Sequence, residues 1–213
     1  MIKVIFFDFD GVIVESVDIK TNAFAKLFER EGDNIIKKVV KYHLENTGVS
    51  RYEKFRYIYD EILKRPLNDS EFNVLCSKFA TLVVDNVLKA PYVKGAKEFL
   101  ENCASKYECF VTSATPQREL KDIIQKRDLN RFFKSIYGTP TKKSDAVRDV
   151  LVSEKIDNNV AVYVGDALSD YKAAMDNSVH FISRINNNET IFAGIDCLKI
   201  KDLTNLKTIL DLM

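Results

Sequence analysis

None of the four cysteines (Cys76, Cys103, Cys109 and Cys197) forms a CxxC pair with another. Neither a zinc ribbon nor a dithiol redox motif is therefore written into the chain, and the thiols read as reduced core residues. Only two histidines occur, His43 and His180, without the spacing of a ligand pair. A formal net charge of +1 leaves no acidic tail and no basic footprint, so nucleic acid is not an expected partner. The aromatic run Tyr52, Phe55, Tyr57 and Tyr59 accordingly reads as helix packing rather than a stacking platform for bases. No apolar run reaches the roughly 18 residues of a membrane span, so no membrane partner is expected. Internal repeats and low-complexity segments are absent. The N-terminus enters a strand at once, so the expectation is a cytoplasmic chain without a signal peptide.

What is present is a 213-residue chain, 46% hydrophobic and 30% charged, enough for one domain with a large insertion or two small ones. Val4-Ile5-Phe6-Phe7 is a short apolar run of the kind that forms a strand buried on both faces of a parallel sheet. Asn159 to Gly165 is a second, Tyr107 to Thr112 a third, and Val179 to Ile182 a shorter fourth. Helical patterns separate them: Gly95 to Cys103, a helix opened by Thr115-Pro116 and running toward Arg127, Lys143 to Ser153, one ending at Met175, and a closing helix over Leu203 to Leu210. Repeated strand-helix units predict a parallel, doubly wound α/β core of residues 1–16 and 91–213.

Residues 17–90 read differently. Four apolar helical faces follow one another, carried by Ala23, Leu27 and Phe28, by Ile35, Ile36, Val39 and Val40, by Phe55, Ile58, Tyr59 and Ile62, and by Phe72, Leu75, Phe79, Leu82 and Val83. No strand pattern intervenes. The prediction is an inserted helical module that returns through Ala90-Pro91-Tyr92-Val93.

The first apolar strand runs directly into Asp8-Phe9-Asp10-Gly11. Two acids one residue apart repel unless a cation or a shared proton compensates them. An acidic turn with Gly11 at positive φ is the bland alternative. Three further polar sites lie at predicted strand ends or lead out of one: Ser113, Lys142-Lys143, and Gly165-Asp166-Ala167-Leu168-Ser169-Asp170. In a parallel sheet these ends share one edge, where such sheets place their ligand crevice. Asp8, Asp10, Asp166 and Asp170 make a hard oxygen set suited to Mg²⁺. A lysine with a hydroxyl or backbone donor suits a phosphate. One carboxylate can act as nucleophile while another moves a proton.

The strings DFDGV, VTSAT, TKKSD and VYVGDALSD, in that order, resemble the four motifs of the haloacid dehalogenase superfamily, and the resemblance covers the whole chain. It implies a Rossmann-like core with a helical cap at 17–90. It implies Asp8 as nucleophile and metal ligand, and Asp10 as general acid/base whose backbone carbonyl touches the metal. Ser113 would bind phosphate, with Gly11 and Ala114 counted beside it. Lys143, preferred over Lys142, would neutralise the reacting charges. Asp166 would bind Mg²⁺ directly and Asp170 directly or at one remove.

Asp10 favours phosphate esters over the chemistry of dehalogenase and phosphonatase relatives, which lack that second acid. The expected activity is hydrolysis of a small phosphorylated metabolite through an aspartyl-phosphate. A β-phosphoglucomutase-like mutase, or an idle binding protein on the same fold, are the alternatives. Gly48-Val49-Ser50-Arg51 resembles the mutase cap loop, but Lys20 stands where that mutase has a histidine. Arg51 either grips a substrate anion or is solvated beside a Ser50–Glu53 capping box. Lys20 points either to the site or to solvent.

Overall fold

The computed structural model describes residues 1–185 and 189–213. Its strands are β1 (Val4–Phe7), β2 (Glu108–Pro116), β3 (Ser135–Thr139), β4 (Ala161–Gly165), β5 (His180–Arg184) and β6 (Leu198–Ile200). They form one sheet in the order β3-β2-β1-β4-β5-β6, every pairing parallel. Its longer helices are α1 (Val17–Leu27), α2 (Asp33–Glu45), α3 (Arg51–Tyr57), α4 (Asp69–Lys89), α5 (Ala96–Cys103), α6 (Gln117–Lys126), α7 (Lys143–Ser153), α8 (Leu168–Asp176) and α9 (Leu206–Asp211).

β1 sits in the middle, and its alternation explains the layers. Ile5 and Phe7 face the cluster that holds Leu100 of α5, Ile124 of α6 and Leu206 of α9. Val4 and Phe6 face Val147 of α7 and Ala174 of α8. A strand covered on both faces needs apolar residues at every position, which is why the run is continuous rather than alternating.

All of α1–α4 lies in the crossover between β1 and β2. Its centre is aromatic: Phe24 meets Phe55 and Phe79 at 5.6 and 4.7 Å between ring centroids. Ser50 caps α3, accepting from the Glu53 N–H at 3.3 Å and donating to its carboxylate at 3.0 Å. Asn68 caps α4, its Oδ1 accepting from the Glu71 N–H at 2.9 Å. The far end of α4 is held by Arg127, whose Nη1 donates at 2.9 Å to the carbonyls of Val87, Leu88 and Ala90. Carbonyls at a helix C-terminus run short of partners along the helix (here only Val87 keeps one, the Ala90 N–H at 3.3 Å), so one guanidinium closes the segment onto the end of α6.

Two local expectations need correction, and one strand went unseen. Thr115 does not cap α6: β2 runs on through Pro116, and Pro116 itself occupies the cap position. The Thr115 hydroxyl instead donates to Asp10. The strand β6 was not expected, because three residues are too few to show a period. The closing helix is also shorter than expected, beginning at Leu206.

Candidate active site

The carboxyl ends of β1, β2 and β4, with the N-terminus of α7 that follows β3, bring the separated motifs together. Asp8 continues β1, its N–H bonded to the Val164 carbonyl at 3.0 Å. Its carboxylate accepts from the Phe9 N–H at 2.7 Å and pairs with Lys143 Nζ at 2.8 Å. The same ammonium pairs with Asp170 at 2.6 Å. Lys142, one residue earlier, is exposed. Geometry therefore selects Lys143 as the lysine of the site.

Asp170 is held on both oxygens. One accepts from Lys143 and from the Tyr163 hydroxyl at 2.8 Å; the other accepts from the N–H groups of Asp166 and Ala167 at 3.2 and 3.0 Å. Its position in the first turn of α8 lets it cap that helix while reaching the lysine.

Gly11 follows the acids at φ 78°, and a Cβ there would lie 2.1 Å from Asp166 Oδ2. Only glycine fits, for both reasons. Its N–H donates to the Val14 carbonyl and its carbonyl accepts from Arg184 at 3.1 Å, so both backbone groups serve the turn, and Gly11 is not among the residues that bound the inner cavity. Arg184, from the end of β5, also pairs with Glu15 at 2.6 Å.

Asp10 faces a different set of neighbours. It pairs with Lys20 at 2.5 Å and accepts from Ser16, Thr115 and Ser113 at 2.7, 3.1 and 3.2 Å. The two acids consequently titrate in opposite directions. Burial pushes Asp8 up to about 7, with Lys143 opposing and Asp170 and Asp10 adding to the rise. Burial also works to raise Asp10, but Lys20 and the hydroxyls of Ser16 and Thr115 outweigh it and hold the carboxyl below its ordinary range. Asp166 is pushed well above the carboxylate range by burial, then by Asp8 and Asp170, against Lys143 and Arg184.

Asp8, Asp166 and Asp170 each offer an oxygen within 4.8 Å of the others, and all three are buried. Crowded buried carboxylates that are driven toward protonation are relieved by a hard cation, and an all-oxygen donor set of this kind fits Mg²⁺. The Asp10 carboxylate is not part of this cluster.

Ser113 and Ala114 line the space beside these groups. Pairing between β2 and β3 shifts register between Thr112 and Pro116, so this stretch departs from the ladder at the site. The inner cavity measures about 20 Å³ and is bounded by Asp8, Asp10, Lys20, Gly48, Ser113 and Lys143. A cleft of about 320 Å³ adjoins it, between residues 48–53 and 139–144. The helical segment closes down here: Ser169 donates to the Gly48 carbonyl at 3.2 Å, and a Cβ on Gly48 would fall 1.9 Å from that hydroxyl.

Arg51 meets neither expectation. Its guanidinium is buried, lies over the Phe79 ring at 4.5 Å and pairs with Glu119 of α6. It ties the helical segment to the core rather than lining the cleft. Lys20 points into the site. Thr115, Tyr163 and Arg184 were missed by the sequence reading, as was the burial of Lys54 in the helical segment. For Lys54 a signal existed: it stands four residues before Ile58, on the face that packs inward.

The profile of the family described as haloacid dehalogenase-like hydrolase matches residues 5–183. No curated protein matches the chain. Among solved structures, a β-phosphoglucomutase from Clostridium difficile superimposes with a TM-score of 0.77 at 16% identity, over 99% of this chain and 96% of that one. A predicted phosphoglycolate phosphatase from Haemophilus somnus gives 0.76 at 18%, over 98% and 97%. The HAD-hydrolase YfnB of Bacillus subtilis, solved bound to magnesium, gives 0.73 at 16%, over 99% of each chain. At these identities the likeness is one of fold.

Proposed function

The chain belongs to the haloacid dehalogenase-like hydrolases, and from that premise we propose that it is a Mg²⁺-dependent phosphomonoesterase acting on a small phosphorylated metabolite. Residues 1–16 and 91–213 serve as the catalytic core and 17–90 as its cap. The observation that carries this reading is the convergence of Asp8, Asp166 and Asp170, each offering an oxygen within 4.8 Å of the others, on Lys143, which pairs with Asp8 at 2.8 Å and with Asp170 at 2.6 Å. Burial raises Asp8 and Lys20 helps to lower Asp10, the reverse of what a nucleophile and a proton donor need. A cation at the acidic cluster and withdrawal of Lys20 would therefore set the two roles.

Asp8 attacks the phosphorus; the aspartyl–phosphate bond forms as the ester P–O bond breaks. Lys143, fixed by Asp170, holds positive charge against Asp8 and the phosphoryl oxygens. Ser113 and Ala114 face the phosphoryl group. Water then attacks phosphorus, its proton passes to Asp10, and the bond to Asp8 breaks, releasing phosphate. Lys20 holds Asp10 as a carboxylate, the form this second half needs. In the first half Asp10 gives a proton to the leaving oxygen, which requires Lys20 to withdraw. Lys20 lies on α1, at the start of the cap, so cap movement would couple to that exchange. Asp8 and Asp166, with the Asp10 backbone carbonyl and Asp170 close by, would hold Mg²⁺. When bound, the ion supplies charge neutralisation at the phosphoryl oxygens and keeps Asp8 ionised.

Phosphate release from p-nitrophenyl phosphate with Mg²⁺ tests the reading. Turnover that disappears with EDTA and in Asp8→Asn supports it. Equal release by wild type and Asp8→Asn sinks it, as does conversion of β-glucose 1-phosphate to glucose 6-phosphate without phosphate release. A panel of phosphorylated sugars, glycolate and nucleotides then names the substrate.

A further inference from the structure

Lys54, in the first turn and a half of α3, is a buried lysine without a carboxylate. It is 2% exposed, and among the described residues no acid pairs with it. Its amine meets His43 Nδ1 of α2 at 2.7 Å and lies 5.5 Å from the centre of the Phe24 ring of α1. His43 is equally buried, and its Nε2 has no hydrogen-bond partner. An amine and a ring nitrogen placed in an aromatic interior, one of them unsatisfied, are costly for a fold that gains nothing from them.

Position gives the pair its meaning. The turn that leads into α3 forms the roof of the site: Thr47 and Gly48 line the inner cavity, and Ser50 and Glu53 line the outer cleft. The charged groups that act on Lys54 are those of the site, Lys20 of α1, Lys143 of α7 and Asp10 after β1. Burial first, then the two lysines, press Lys54 well below its ordinary range, with Asp10 opposing. Burial, Lys54 and Lys20 press His43 to about 2. The roof therefore carries a desolvated amine with no carboxylate paired to it among the described residues, and that missing partner leaves its titration pressed down.

We infer that Lys54 is a specificity-determining residue whose amine, released from His43, pairs with a second anionic group on the substrate. The substrate class is then a short phosphomonoester carrying a carboxylate or a second phosphate, with its first phosphate at Asp8. This rests on the phosphatase reading above. The leaving group occupies the boundary between the inner cavity and the cleft; Lys54 lines neither in this structure, so its amine swings from His43 past the Thr47–Ser50 turn to reach it. The anion supplies the charge that the interior lacks, so the lysine takes up a proton on binding.

Two measurements test this. Isothermal titration of wild type and Lys54→Met with phosphonoacetate, methylenediphosphonate and methylphosphonate, in buffers of differing ionisation enthalpy, counts protons taken up. Subtracting the variant from the wild type cancels the ligand's own ionisation. The expectation is an additional proton for wild type with either probe that carries a second anionic group and none with methylphosphonate; the tighter of the two names the second anion. Equal uptake by both proteins, or failure of wild type to bind either of those two probes, overturns the inference. In turnover, the kcat/KM ratio of carboxylate-bearing over neutral phosphomonoesters should fall about 10- to 100-fold in Lys54→Met and recover partly in Lys54→Arg. An unchanged ratio also overturns it. A wild type that binds phosphonoacetate with proton uptake but hydrolyses no phosphomonoester refutes the phosphatase reading and leaves the assignment of Lys54 standing.

Discussion

Lys143 and Lys54 are both buried lysines, one on the sheet edge and one in the helical segment, and their surroundings treat them in opposite ways. Lys143 lies between Asp8 and Asp170; burial works against its charge, but the two carboxylates outweigh it and raise its pKa above the ordinary lysine value. Lys54 has a histidine ring and a phenylalanine face for company, and burial lowers it. The core is a set of opposite charges already assembled. The helical segment holds an amine with no carboxylate paired to it among the described residues. Buried charge is tolerable when paired and neutralises itself when it is not, so the comparison separates machinery that is complete from machinery that the ligand completes.

The largest effect should come from the acid that the core lysine serves. Asp8→Asn removes the nucleophile, and phosphate release should fall by at least about 10⁴-fold in kcat. Lys143→Met comes next, because it leaves Asp8 and Asp170 buried without their cation. Unfolding in urea should register a loss of about 3–5 kcal/mol, together with lost turnover.

His43 sharpens the contrast through pH. In the folded chain it stays neutral down to about 2, whereas unfolded it takes a proton near 6.5. The unfolded state therefore binds more protons as pH falls below 6.5, and stability is lost in that direction. The loss from this residue should be about 2 kcal/mol at pH 5. His43→Asn should flatten that part of the stability curve; an unchanged slope would mean the ring is not held neutral. The smallest effect should be that of Lys54→Met on stability, a gain of up to about 1 kcal/mol, since an apolar chain replaces a desolvated amine. Opposite signs for the two Lys→Met variants in thermal unfolding would establish the comparison, and equal destabilisation would break it.

Much of the core was legible in the chain. The run Val4 to Phe7 is apolar at each position because both faces of β1 are covered, and such a run announces itself locally. Lys143 to Ser153 was read with its observed limits. Asp8, Asp10, Asp166 and Asp170 stood out because acids that follow buried strands break the local pattern. β6 stayed hidden because three residues carry no period. Thr115 was misread as a cap, since the sequence beside Pro116 is equally that of a helix start; its hydroxyl serves Asp10, which lies 105 residues earlier. Arg51 and Lys20 each had two readings, and nothing adjacent to either could choose between them.

The sequence alone determined most of the order of strands and helices, the buried faces of those it showed, and the acids at the strand ends, because these depend on the spacing of neighbouring side chains. Only the tertiary structure decided that Lys143 rather than Lys142 reaches Asp8, that Lys20 turns toward Asp10, that Arg51 holds Glu119, and that Lys54 is buried with no carboxylate partner among the described residues. Each of these turns on a distance between residues far apart in the chain. Packing sets such distances, and a local pattern does not record them.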